Sequence, residues 1–211
     1  MEEGVLTVRA GGPVAVHHSG GIGGPATPGA AAEFRLGAGD ALAVPTGTAI
    51  ELRNDGETPA AALVAGVFAS GGNWGWTGPD TNPWQPLGLG MPDAVSGPAT
   101  AMLERVTIGP GATAAGAVPG PEVIVVEAGA LTLGVEQGQA DTYPAAYMRS
   151  HAAGPGQERV DDGSTARLAS GDAVLVHAGA RRTLRNAGGE PLVLLILTIV
   201  PRGAVTGTPV P

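Results

Sequence analysis

The sequence predicts an all-β protein, on three observations. No long segment shows helical periodicity. Short runs of apolar and β-branched residues recur instead, separated by Gly, Pro, Asn and Asp. These runs also form two related sets. The 36 glycines and 19 prolines reach a level at which disorder has to be weighed. With 14% charged residues and a formal net charge of −8, however, self-repulsion is weak, so turn-rich β structure is the better description.

The first set comprises residues 4–8, 41–44, 49–53 and 61–68. The second comprises 102–108, 122–126, 130–135, 173–176, 182–185 and 191–200. The expected organisation is a first repeat over 1–70, a connection over 71–99, a second repeat over 100–203 and a tail over 204–211. The connection is rich in Gly and Pro and holds Trp74, Trp76 and Trp84, the chain's three tryptophans. Three indoles in one stretch predict an ordered segment packed on the sheets.

Composition removes several chemistries. All 11 basic residues are arginine, so Schiff-base lysines and P-loop phosphate binding are out. No cysteine is present, which excludes thiolate nucleophiles, Fe–S clusters and cysteine zinc sites. A pI near 4.8 argues against nucleic acid as a partner. The longest apolar run, Leu192 to Val200, is far below the roughly 20 residues of a membrane helix. Met1-Glu2-Glu3 leads straight into a strand with no leader pattern. The default expectation is therefore a cytoplasmic protein with no membrane partner.

The two sets are copies. Residues 35–59 match 167–191 at a constant offset of 132, with 12 of 25 positions identical, among them Gly39-Asp40 with Gly171-Asp172 and Leu52-Arg53-Asn54 with Leu184-Arg185-Asn186. Upstream, Glu2 to Thr7 aligns with Glu127 to Thr132 at offset 125, so the second copy has a longer central loop. The first copy is expected to lack the opening strands that correspond to Met102 through Val126.

Gly-Asp, a short strand, Pro-x-Gly, a further strand and Asn resembles the second conserved motif of the cupins. Gly39 to Asn54 fits with Pro45 and Gly47, and Gly171 to Asn186 fits with His177 where proline is usual. Pro110-Gly111, then Pro119-Gly120-Pro121-Glu122 and Gly129, resembles the first motif. The resemblance implies two cupin repeats, each a double-stranded β-helix (jelly-roll) barrel. It also implies a divalent metal held by three histidines and a glutamate.

That ligand set is absent. The first-motif histidine positions hold Gly116 and Val118, and only Glu122 remains. The second-motif histidine is replaced by Arg182 in the second copy and by Ile50 in the first. Arginine does not ligate metals, so no metal and no other cofactor is expected. An arginine facing a lone glutamate predicts an ion pair inside the second barrel, with Val174, Val176 and Leu184 lining the same cavity and His177 at its rim. These six residues are the candidate ligand site, suited to a small, anionic molecule. His17 and His18 are expected in a hairpin loop and His151 in the long loop. Tyr143 and Tyr147 are expected in the long hairpin insert, folding back over the pocket.

Two functions follow. One is a small-molecule-binding or structural module without chemistry, and the residues favour it. The other is a metal-independent enzyme of epimerase or isomerase type using a His or Glu acid/base, against which stands the lack of an evident His–Asp pair. A degraded homologue without activity is a third reading. The open first copy predicts self-association, as a homodimer.

Overall fold

Gly-Asp turns fix the strand starts in both halves of the molecule. Gly39 and Gly171 have φ of +83° and +90°, a region that favours glycine. The aspartate that follows closes the turn. Asp40 Oδ2 accepts the Gly37 N–H at 2.8 Å, and Asp172 Oδ2 accepts the Ala169 N–H at 2.8 Å. The structure is a computed structural model that describes residues 1–19, 26–29, 31–45, 47–65, 98–150 and 157–202, without the side chains of 148–150. The chain divides into two compact units, Met1–Ser70 and Gly71–Pro211. The expected connection with its three tryptophans lies almost wholly outside the described residues, as do His151 and the tail.

The first unit contains β1 (Leu6–Ala10), β2 (Ala15–His17), β3 (Glu33–Leu36), β4 (Ala41–Ala43) and β5 (Ile50–Arg53). They form a sheet of order β3-β1-β5 and a pair β2-β4, all antiparallel. Its buried core is small: Val8, Ala10, Val14, Val16 and Leu36.

The second unit follows with β6 (Ala99–Ile108), β7 (Thr113–Ala117), β8 (Glu122–Ala128), β9 (Ala130–Gln137), β10 (Ala140–Tyr143), helix α1 (Ala145–Ser150), β11 (Glu158–Val160), β12 (Thr165–Ala169), β13 (Ala173–Val176), β14 (Arg181–Asn186) and β15 (Leu192–Pro201). A six-stranded sheet of order β11-β10-β13-β8-β15-β6 and a four-stranded sheet of order β12-β9-β14-β7 enclose its core. Ile124, Val126, Leu131, Leu133, Val174, Val176, Leu184, Leu192 and Leu194 fill it, each at most 1% exposed. Burial of one such side chain contributes about 1.5–3 kcal/mol, so this core carries the unit. The strand order is that of an all-β jelly roll.

The paired strands of the two units correspond in register. Leu6 and Thr7 pair Leu36 and Arg35, as Leu131 and Thr132 pair Leu168 and Arg167. Thr7 and Val8 pair Arg53 and Leu52, as Thr132 and Leu133 pair Arg185 and Leu184. The aspartate turns match too: Asp40 Oδ1 accepts the Ser19 N–H at 2.9 Å, and Asp172 Oδ1 accepts the Ala145 N–H at 2.9 Å.

Some expectations are corrected. His17 ends strand β2 instead of lying in a loop, because Val16 beside it is drawn into the core and pairs Leu42. The run expected over 61–68 forms only a single bridge, Glu3 to Ala61, within the described residues 61–65. Strand β7 reads Thr-Ala-Ala-Gly-Ala, with almost no β propensity of its own. It is a strand because its backbone pairs β14 along five residues.

Candidate functional site

Strand pairing brings Glu122 and Arg182 together from opposite sheets. On the six-stranded sheet, Thr198, Glu122, Val176 and Ala140 stand in one cross-strand row. Directly paired residues share a face, and Val176 and Ala140 belong to the core, so this row points inward. On the four-stranded sheet, Gly116, Arg182 and Val135 form the facing row. The arginine fork meets the carboxylate in bidentate fashion, Nε to Oε1 at 2.9 Å and Nη2 to Oε2 at 3.0 Å. The Thr198 hydroxyl completes the set at 3.5 Å from Oε2. The side chains are 15% exposed for Arg182 and 5% for Glu122.

The same positions can be tested against the metal set that the resemblance implies. Gly116 has no side chain, Val118 is 1% exposed in the core, and Arg182 is a cation bonded to the one carboxylate. The residues present do not fit the divalent ion that the resemblance implies. Among the described residues, no cluster of three or more His, Asp and Glu is placed to hold a metal. In place of a cation, the guanidinium supplies the positive charge and five donors.

The other candidate residues separate. Val174, Val176 and Leu184 were expected to line a cavity; they lie in the packed core with Ile124, Leu133 and Ile196. Two inward-facing apolar rows meet there. His177 follows the inward Val176 but turns the other way. Its Nε2 lies 2.9 Å from Asp141 Oδ2, and Asp141 alternates with the inward Ala140 on β10. His177 and Glu122 therefore serve opposite faces of the six-stranded sheet. Tyr143 is the last residue of β10 and 6% exposed, and its ring lies 6.4 Å from that of Tyr147 on α1. It is a wall of the fold instead of a flap over the pocket.

The His177–Asp141 pair is the feature the sequence reading did not anticipate. Asp141 is 4% exposed and is also approached by Arg159 Nε at 3.5 Å. Burial pushes its carboxyl up. Hydrogen bonds from Gln157 and His177, with the charges of His177 and Arg159, outweigh burial and leave it below the ordinary aspartate range. His177 borders an open depression of about 540 Å³ lined also by Gly138, Gln139, Arg159, Asp161, Asp162 and Ala178. An imidazole oriented by a buried carboxylate can take up or deliver a proton. No sequence signal marks the pair, because it follows from strand register: Asp141 pairs Leu175, two residues before His177.

In the first unit His18 Nδ1 lies 3.1 Å from Asp40 Oδ2, with the His18 side chain 54% exposed. The backbone N–H groups of Gly37 and Ser19, more than His18, hold the Asp40 carboxyl at about 2. Ile50, at the position equivalent to Arg182, is 37% exposed.

No family model matches this sequence, and no curated protein does. Among solved structures, the chain is similar to the cupin domain of Drosophila melanogaster CENP-C, at 18% identity over 45% of this chain and 58% of that one, with a TM-score of 0.30. It is similar to a Cupin 2 conserved barrel domain protein from Leptotrichia buccalis, at 9% identity over 94% and 76% of the two chains, TM-score 0.32. A third is a variant of the Bacillus subtilis oxalate decarboxylase, at 13% identity over 93% and 63%, TM-score 0.32. At this distance these likenesses assign no activity and no residue role. The class rests on strand order and register: an all-β jelly roll.

Proposed function

We propose that this chain is a metal-free, two-repeat cupin-like module that binds a small molecule or serves as a structural part, and that it is not a metal-dependent enzyme. The observation that carries the reading is the bidentate Arg182–Glu122 pair at the position where the resemblance implies metal ligands. A buried carboxylate without a counter-ion is costly, and the arginine neutralises it without leaving a coordination site. The register correspondence of the two units supports the two-repeat reading. A small anionic ligand would meet Arg182 at the partly open end of its side chain. Native mass spectrometry of protein purified without added metal tests this. The expected mass is that of the chain with no stoichiometric divalent ion. Iron, manganese, nickel or zinc that resists dialysis and is lost in Glu122→Gln overturns the reading.

The His177–Asp141 pair favours a second reading, a metal-independent acid/base site in the depression outside the barrel. It predicts solvent deuterium exchange into a bound carbonyl or sugar ligand that Asp141→Asn abolishes.

A further inference from the structure

We infer that the outer face of the four-stranded sheet carries a carboxylate-binding site: the guanidinium groups of Arg167 and Arg185, with the Thr132 hydroxyl between them, take the carboxylate of another molecule in the way that the first unit holds its own Asp55. The inference rests on the correspondence of the two units. It concerns the face opposite to Arg182 and is independent of the ligand reading there.

Strand register builds the same rung in both units. In the first, Thr7 on β1 pairs Arg35 on β3 and Arg53 on β5. In the second, Thr132 on β9 pairs Arg167 on β12 and Arg185 on β14. Leu131, Leu133, Leu168 and Leu184 beside these residues belong to the core, so alternation sends Thr132, Arg167 and Arg185 outward. Adjacent strands lie about 4.8 Å apart, which sets the two arginines about 10 Å apart across Thr132, a span that two such long side chains close over one carboxylate.

The first unit shows what this rung holds. Arg53 Nε lies 3.3 Å from Asp55 Oδ1. The Thr7 hydroxyl also donates to Asp55. That bond, then the bond from Arg53, with the charges of Arg53 and Arg35, outweigh burial and keep the carboxyl below the ordinary aspartate range. Thr7 itself is 6% exposed. The next row along the same face is Glu33, Arg9 and Glu51. Arg53 Nη2 lies 3.3 Å from Glu33 Oε1. The charges of the face thus balance, with Arg9, Arg35 and Arg53 against Glu33, Glu51 and Asp55.

The second unit keeps the rung and none of these acids. Ala187 stands at the place of Asp55, Thr165 at that of Glu33 and Thr183 at that of Glu51, and Gly134 replaces the central Arg9. Arg167 and Arg185 are exposed and Thr132 is half-buried. Among the described residues neither arginine has an ion-pair partner. Glu136, further along β9, meets Arg181 Nε at 3.6 Å and the Thr183 hydroxyl at 2.6 Å. Two guanidinium forks therefore stand beside a row of Thr165, Gly134, Thr183 and Ala115, in a chain of formal net charge −8. The rung matches a planar, two-oxygen anion, and position 187 does not supply one.

The test reads the arginine Nε resonances of the full chain by nitrogen-15 NMR. The probes are succinate and a hexaglutamate peptide, with sodium chloride at matched ionic strength as the control for screening. Succinate is expected to shift Arg167 and Arg185 saturably and to leave Arg35 and Arg53 in place. Ala187→Asp, at an exposed site, supplies the carboxylate from within and should weaken succinate at Arg167 and Arg185 about tenfold or more. Asp55→Ala, also exposed, should make Arg35 and Arg53 respond as their counterparts do. A response to succinate at least as strong as to the peptide, at equal carboxylate concentration, assigns the site to free small carboxylates. A response to the peptide about tenfold or more stronger assigns it to an acidic polypeptide segment. No saturable shift with either probe up to about 10 mM overturns the proposal. So does a shift that sodium chloride reproduces, and so does an Ala187→Asp variant that responds to succinate as before.

Discussion

The two units build the same turns from the same residues and then differ in what those turns support. Asp40 and Asp172 close equivalent loops with equivalent bonds at 2.8 and 2.9 Å. Leu52 and Leu184 stand in equivalent rungs opposite Val8 and Leu133. Yet Leu184 is 1% exposed within a core of two full sheets, and Leu52 only packs at the margin of a five-residue core. Local geometry is written into the repeat itself: glycine turns, an aspartate that satisfies loop N–H groups, alternating apolar residues. Burial is not. It depends on β6, β7, β8 and β15, whose counterparts are largely missing among the described residues of the first unit. A short repeat can therefore specify strand pairing without specifying a core.

Truncation of the matched leucines should separate the units most. Leu184→Ala is expected to destabilise the second unit by about 2–5 kcal/mol, through lost transfer energy and a cavity the sheets do not collapse around. Leu52→Ala should cost the first unit about 1 kcal/mol or less, since part of that surface is already in water. Urea unfolding followed by exchange at 131–135 and 6–10 reads each. Equal costs would erase the distinction.

The asparagines sharpen it at a smaller scale. Asn186 is 1% exposed and bonded to two backbone carbonyls and one N–H, so Asn186→Ala should cost about 2–3 kcal/mol by stranding buried groups. Asn54 is exposed with one bond fewer, and Asn54→Ala should cost about 0.5–1 kcal/mol.

The smallest effect concerns acid. Asp40 is held at about 2 in the folded chain, against 3.8 for an ordinary aspartate. Its contribution is therefore complete above about 4 and fades as pH falls through 2. Carbon-detected titration should place the Asp40 carboxyl near 2, and Gly37→Pro, which removes the first donor, should move it up. An unshifted midpoint would show that the loop N–H groups do not hold the carboxylate.

Most of the architecture was legible because it is local. The Gly-Asp turns and the repeat at offset 132 marked β4, β5, β13 and β14 to within a residue or two. Glu122 and Arg182 were legible as a pair because the cupin resemblance implies that both motifs meet inside one barrel. Strand β7 was not, since Ala and Gly carry no strand preference and only β14 makes them one. Asp141 was not, since its value depends on a neighbour 36 residues away across a strand pair. Alternation gave the inward face of Val174, Val176 and Leu184, and all three are buried on it.

Arg182 and Glu122 form the central ion pair of the second unit, and a double-mutant cycle measures their coupling directly. Arg182→Met alone should destabilise the second unit by about 3–5 kcal/mol, because it leaves Glu122 buried and unpaired. Arg182→Met with Glu122→Leu should cost far less, about 1 kcal/mol or below, since neither charge remains to be compensated. A double variant as unstable as the sum of the two single variants would contradict the account and show that the two side chains act without each other.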